Sequence, residues 1–128
     1  MIRIDHVGVA VPDLEAARTI WDKLLGQEPE LEEVETQKVL AAMYPCGIEL
    51  LAPTADDSPI SKFLAKRGGG IHHVTIEVDD IDAQLARLKA EGAALINEEA
   101  VTGAGGHRVA FLHPKTAGGV LVELKESK

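Results

Sequence analysis

One pattern is written twice in this chain, and that repetition constrains the fold more than any single residue does. The first copy is Arg3-Ile4-Asp5-His6-Val7-Gly8-Val9-Ala10-Val11-Pro12-Asp13-Leu14, and the second is Gly70-Ile71-His72-His73-Val74-Thr75-Ile76-Glu77-Val78-Asp79-Asp80-Ile81. A single offset lays His6 on His73, Val7 on Val74, Val9 on Ile76, Val11 on Val78, Asp13 on Asp80 and Leu14 on Ile81. Each copy runs into a helix-like segment that ends at a glycine. Each half also closes with one acidic residue among aliphatics, Gly47-Ile48-Glu49-Leu50 in the first and Leu121-Val122-Glu123-Leu124 in the second. A period near half the chain means two copies of one supersecondary unit. At 128 residues the chain can build one domain with a proper core but not two independent ones, so the halves must share a fold.

Taken in order, residues 2 to 11 alternate with period two and read as a strand, with Val7, Val9 and Val11 on one face and His6, Gly8 and Ala10 on the other. Asp13 is the N-cap of a helix over 14 to 25, with Leu14, Ala17, Trp21 and Leu24 or Leu25 as its apolar stripe and Gly26 at its end. The acidic stretch 29 to 35 is an exposed strand or loop, 37 to 44 a strand, Pro45-Cys46-Gly47 a tight turn, and 48 to 52 its hairpin partner. Ser58-Pro59 opens a short helix that ends at Gly68-Gly69-Gly70. The second half repeats the plan: a strand, a helix over 81 to 91 with Ile81, Leu85 and Leu88 inward, a strand beginning at Leu95-Ile96, a flexible loop over 102 to 106, a strand over 107 to 113, a turn over 115 to 119, and a last strand in which Val120, Val122 and Leu124 pack. The expected organisation is a single domain over 1–128, with one module over about 2–53, a linker and helix over 54–69, and a second module over about 70–125.

Composition narrows the function. A formal net charge of -8, without a basic stripe interleaved with aromatics, argues against nucleic acid as a partner. No apolar run approaches a membrane span and no leader pattern precedes the first strand, so the expected location is cytoplasmic, with no membrane partner. The single cysteine, Cys46, cannot form an internal disulfide and reads as a small, partly buried hydrophobe in a reducing compartment. The glycines of 102 to 106 lack the spacing of a nucleotide-binding loop.

His6, Glu49, His73 and Glu123 carry the chemistry. All four project from strand faces opposite the helix-packing aliphatics, and their placement is related by the repeat. Any one of them alone is an ordinary strand residue. Two imidazoles and two carboxylates converging across a pseudo-twofold axis make a divalent-metal site, and nitrogen and oxygen donors without thiolate suit Co, Ni, Mn, Fe or Zn. His72, His107 and His113 have no such partners and read as structural.

The stretches IDHVGVAVPDLEAA, IELLAPT, SPISKFLAKRGGGIHHVTIEVDDI and GAGGHRVAFLHPKTAGGVLVEL make a resemblance visible. Together with the paired modules, they resemble the vicinal oxygen chelate superfamily and, within it, the methylmalonyl-CoA epimerase family. The resemblance implies an α+β fold in which two paired β-α-β-β-β modules form one shared mixed sheet lining a cleft. It places the metal positions on His6, Glu49, His73 and Glu123, with Glu123 also a base. It further implies cobalt as the usual metal, with Mn2+, Ni2+ or Zn2+ as alternatives, an acyl-CoA substrate and a homodimer. The implied activity is interconversion of (2R)- and (2S)-methylmalonyl-CoA, serving propionate metabolism. Some members carry glutamine where Glu49 stands and a second base where this chain has Ala41, so Glu49 becomes the candidate for that base here. Lys62, Lys66, Arg67, Arg108 and Lys115 are candidates for the coenzyme A phosphates. Two rival readings share the fold: a glyoxalase I type metal-dependent lyase, and a non-catalytic small-molecule binding or resistance protein.

Overall fold

Short side-chain oxygens start the helices where the sequence places them. In the computed structural model, which describes residues 2–127, β1 (Arg3–Ala10) leads to Asp13, and the Asp13 carboxylate accepts the Ala16 N–H at 3.2 Å to open α1 (Leu14–Leu25). Gly26 closes that helix in the left-handed region at φ 63°, donating its N–H to the Asp22 carbonyl. The second copy uses the same device. After β5 (Gly70–Val78), Asp80 accepts the Ala83 N–H and α3 (Ile81–Ala90) follows. Between them Ser58 caps α2 (Pro59–Arg67), with proline in its first turn and Gly68 at its end. Among the described residues no helix is long and apolar enough to cross a membrane.

In the first half, β2 (Glu30–Val34), β3 (Val39–Met43) and β4 (Ile48–Pro53) are antiparallel in sequence order, and β4 then pairs parallel to β1, giving the strand order β2-β3-β4-β1. The acidic stretch is therefore a strand rather than a loop. In the second half, β6 (Val101–Thr102), β7 (Arg108–Leu112) and β8 (Leu121–Glu126) give the order β5-β8-β7-β6, with β8 parallel to β5. Each half is thus β-α-β-β-β with its first strand parallel to its last. The chain divides into two compact units, His6–His72 on one hand and the residues up to Asp5 with those from His73 onward on the other.

In the first unit α1 covers one sheet face, burying Leu14 with Val11, Ala42, Tyr44, Leu50 and Ala52, and Trp21 packs partly buried against them. The opposite face is covered by α2 through Ile60 over Ala10, Val39, Ala41 and Leu51. In the second unit Ile81 and Leu85 of α3 pack on Val78, Ala110, Leu112, Val122 and Leu124. Each buried Val, Leu or Ile among them contributes about 1.5–3 kcal/mol.

Tyr44 is 1% exposed and donates its hydroxyl to Asp22 Oδ1 at 2.5 Å, while Arg18 holds Oδ2 at 3.2 Å. Burial, reinforced by Asp22, pushes the phenol up to about 12. The Tyr44 hydroxyl and Arg18 in turn hold the Asp22 carboxyl below the ordinary carboxylate range.

Of the two leucines expected for the α1 stripe, Leu25 completes it and Leu24 is 67% exposed. Several expectations need correction. Cys46 is exposed on its turn rather than partly buried. No strand begins at Leu95-Ile96: Leu95 makes one isolated bridge to Leu112, and the edge strand is Val101–Thr102. The segment expected to be a flexible loop contains a 3-10 turn over Ala104–Gly106, anchored by the Gly103 N–H on the His107 carbonyl at 2.7 Å. A Cβ at Gly103 would lie 2.7 Å from Val109 Cγ2, so the chain runs hard against β7 here. His107 and His113 flank β7 rather than lying in it. Val120 precedes β8 and is 40% exposed, so Val122 and Leu124 alone carry the expected packing.

Candidate active site

The repeat survives as an identical strand register. In the first half Gly8 on β1 lies opposite Glu49 on β4, and in the second half Thr75 on β5 lies opposite Glu123 on β8. His6 and His73 each stand two residues before those partners, which by the alternation of a strand puts each on the same face as its glutamate. The core aliphatics occupy the other face, because Leu50, Val122 and Leu124 alternate with the glutamates.

In the first unit His6 Nε2 lies 3.5 Å from Glu49 Oε1, with both side chains largely buried. Two donors bonded at about 2.0–2.2 Å to one small divalent ion stand roughly 3–3.5 Å apart, so this spacing fits a shared cation. In the second unit His73 is 8% exposed, and the Thr75 hydroxyl donates to Glu123 Oε1 at 2.7 Å. Thr75 itself is fully buried. Beyond Glu123 the charges are paired, Lys125 with Asp5 at 3.2 Å and Arg3 with Glu77 at 2.8 Å. Thr75 is the residue that sequence reasoning missed. Its signal was present, since it alternates with His73 on one face and aligns with Gly8 in the repeat.

The three other histidines have structural contacts. His72 meets Phe63 edge-on at 5.0 Å between ring centroids, and burial pushes its imidazole down. His107 Nδ1 lies 3.3 Å from the Glu126 carbonyl, and His113 accepts the Lys115 N–H to cap a 3-10 turn over Pro114–Ala117.

The basic candidates separate. Lys62, Lys66 and Arg67 are exposed on α2, and the Arg67 guanidinium lies 5.7 Å over the Phe63 ring. Lys115 is exposed on its turn. Arg108 is engaged elsewhere: its two terminal nitrogens grip Asp82 at 2.7 and 2.8 Å, and that grip holds the Asp82 carboxyl below its ordinary range. Ala41 shares the face of Glu49, because Met43 pairs with Glu49 and Ala41 with Leu51, but it lies 5% exposed under Ile60.

A family profile for the Glyoxalase/Bleomycin resistance protein/Dioxygenase superfamily matches residues 5–111. The mitochondrial methylmalonyl-CoA epimerase of Bos taurus is 45% identical over 98% of this chain and 74% of its own length. An ethylmalonyl-CoA/methylmalonyl-CoA epimerase of Cereibacter sphaeroides is also 45% identical, over 97% of both chains. Among solved structures, a variant methylmalonyl-CoA epimerase of Streptomyces coelicolor in complex with 2-nitronate-propionyl-CoA superposes with a TM-score of 0.85 at 38% identity, covering 98% of this chain and 94% of that one.

Proposed function

Since the chain belongs to the glyoxalase superfamily and, within it, to the methylmalonyl-CoA epimerases, we propose that it interconverts (2R)- and (2S)-methylmalonyl-CoA by removing and returning the C2 proton. The observation that carries the mechanism is the doubled His–Glu arrangement in matching register, with Gly8 opposite Glu49 and Thr75 opposite Glu123. Epimerisation needs one group to take a proton from one face of C2 and another to deliver one to the opposite face. Two carboxylates from related modules suit that division of labour.

His6, Glu49, His73 and Glu123 are the proposed ligands of one divalent cation, which their nitrogen and oxygen donors suit. Such an ion supplies Lewis acidity to the thioester carbonyl and the carboxylate of the substrate, which stand in a 1,3 relation. The Thr75 hydroxyl on Oε1 orients the Glu123 carboxylate, the proposed base for the C2 proton on one face. Glu49 serves the opposite face. A carboxylate at the position of Ala41 would sit beneath α2, which strengthens the case for Glu49 as the second base. The Streptomyces relative is in complex with a 2-nitronate of propionyl-CoA, and a nitronate, like an enolate, has a trigonal carbon with its negative charge on adjoining oxygens.

Lys62, Lys66 and Arg67 on α2, with Lys115, are the proposed contacts of the coenzyme A phosphates; Arg108 is set aside because Asp82 holds it. Cobalt as the metal, a homodimer, a cytoplasmic location and a place in propionate metabolism are proposed on the family likeness, and elemental analysis and solution mass measurement test the first two. The deciding experiment is uptake of deuterium at C2 of methylmalonyl-CoA in D2O. The expected result is exchange with both epimers, abolished together with metal binding in His6→Ala and His73→Ala. An enzyme carrying its metal that leaves the C2 proton in place would overturn the assignment.

A further inference from the structure

Glu123 has one cross-strand neighbour on each side. Thr75 faces it from β5 and Phe111 faces it from β7. Directly paired residues share a face, with Cβ atoms about 4.5–5.5 Å apart. Phe111 therefore stands beside the carboxylate while its chain neighbours Ala110 and Leu112 point into the core beneath α3. The ring is half-buried and belongs to none of the apolar clusters. Its backbone is pinned: the Phe111 N–H donates to Asn97 Oδ1 at 2.8 Å, and the Phe111 carbonyl accepts the Ile96 and Asn97 N–H groups at 2.9 and 3.2 Å. The first module repeats the choice, with Met43 opposite Glu49, again half-buried and outside every cluster. Each glutamate thus has a large apolar side chain paired directly opposite it that belongs to none of the apolar clusters.

We propose that Phe111 is the wall against which the C2 alkyl group of the substrate lies, so that its bulk sets how large that group can be. The assignment rests on the reading of the site as an acyl-CoA epimerase. For Glu123 to reach the C2 proton, C2 must lie within one carboxylate's length, and its alkyl substituent then falls against a neighbour of Glu123. Thr75 is small, buried and committed to the carboxylate, so the apolar contact belongs to Phe111.

The test compares kcat/KM for methylmalonyl-CoA and n-propylmalonyl-CoA in the metal-loaded wild type, Phe111→Leu and Phe111→Ala. Because one methylene in an apolar pocket is worth roughly 10–200-fold in discrimination, the propyl-to-methyl ratio should rise about tenfold or more in Phe111→Ala, with Phe111→Leu intermediate and metal content kept. Phe111→Leu carries the test if the alanine variant does not fold. A ratio unchanged from wild type in a folded, metal-loaded variant overturns the role of Phe111. A wild type that leaves the methylmalonyl C2 proton untouched defeats the epimerase reading instead, so the two failures are distinguishable.

Discussion

The Thr75 hydroxyl donates to Oε1 of Glu123 at 2.7 Å, at the register position where the first module sets Gly8 opposite Glu49. The two modules are alike in backbone and unlike in what steadies their carboxylates. Glu123 is held by a buried neighbour on the next strand; Glu49 instead lies 3.5 Å from its own histidine.

Thr75→Val keeps the shape of the side chain and removes the donor. Partners that orient a metal ligand are typically worth 10–100-fold, so epimerisation or metal affinity should fall roughly by that factor, and Thr75→Ser should recover most of it. Activity and metal content measured on the two variants decide the matter; an undiminished valine variant would reduce Thr75 to packing.

Glu49→Gln keeps an oxygen able to coordinate and removes one able to accept a proton. The ion should remain while epimerisation falls at least tenfold, and single-epimer deuterium exchange through Glu123 should persist. Wild-type epimerisation with metal bound would leave Glu49 a ligand only. Adding Ala41→Glu should not restore the rate, since position 41 lies beneath Ile60 and the new carboxylate would be buried in an apolar cluster.

Tyr44 is the only tyrosine, so its phenolate absorbance reports one site. Its folded value of about 12 lies above that of a free phenol. A raised folded value means the unfolded chain loses its proton first as pH rises. Stability from this group is therefore complete below about pH 10 and lost as pH climbs toward about 12. Tyr44→Phe should lower Tm at neutral pH, because Asp22 loses its donor, and should flatten the alkaline fall of Tm. A phenol that ionises in the folded protein near pH 10 would contradict the buried contact.

Arg108→Ala should leave KM for acyl-CoA within about twofold, whereas Lys66→Ala with Arg67→Ala should raise it. Asp82, held low by Arg108, contributes stability above the ordinary carboxylate range that is lost as pH falls through its lowered value. Thermal melts between about pH 2 and 5 should show the arginine variant losing less on acidification than wild type.

The helices were legible because their signals are local: Asp13, Ser58 and Asp80 each accept a helix N–H from two or three residues on, and Gly26 and Gly68 end one. The four candidate ligands were legible because the repeat carries a face as well as a spacing. The stretch from Ala94 to Thr102 was not. It has no alternation, and its backbone is satisfied by distant groups, with Ala94 meeting Thr116 and His113, and Ile96 and Asn97 meeting Phe111. Leu24 and Leu25 are adjacent, and only the rotation of α1 on its sheet selects Leu25. That Ala41 lies under α2 depends on where a separate helix docks, which no spacing in residues 37 to 44 encodes.

The parallel pairing of first and last strands bears on how the protein is made. His6 and Glu49, and likewise His73 and Glu123, are about forty to fifty residues apart in the chain, and each pair shares a face only once the opening and closing strands of its module have met. Such non-local closure is slow relative to helix formation and comes at the cost of a long loop's entropy. The capped helices can form early, but neither His–Glu pair can, so the chemistry should be the last thing the nascent chain acquires, and a cation arriving before then meets only scattered single donors.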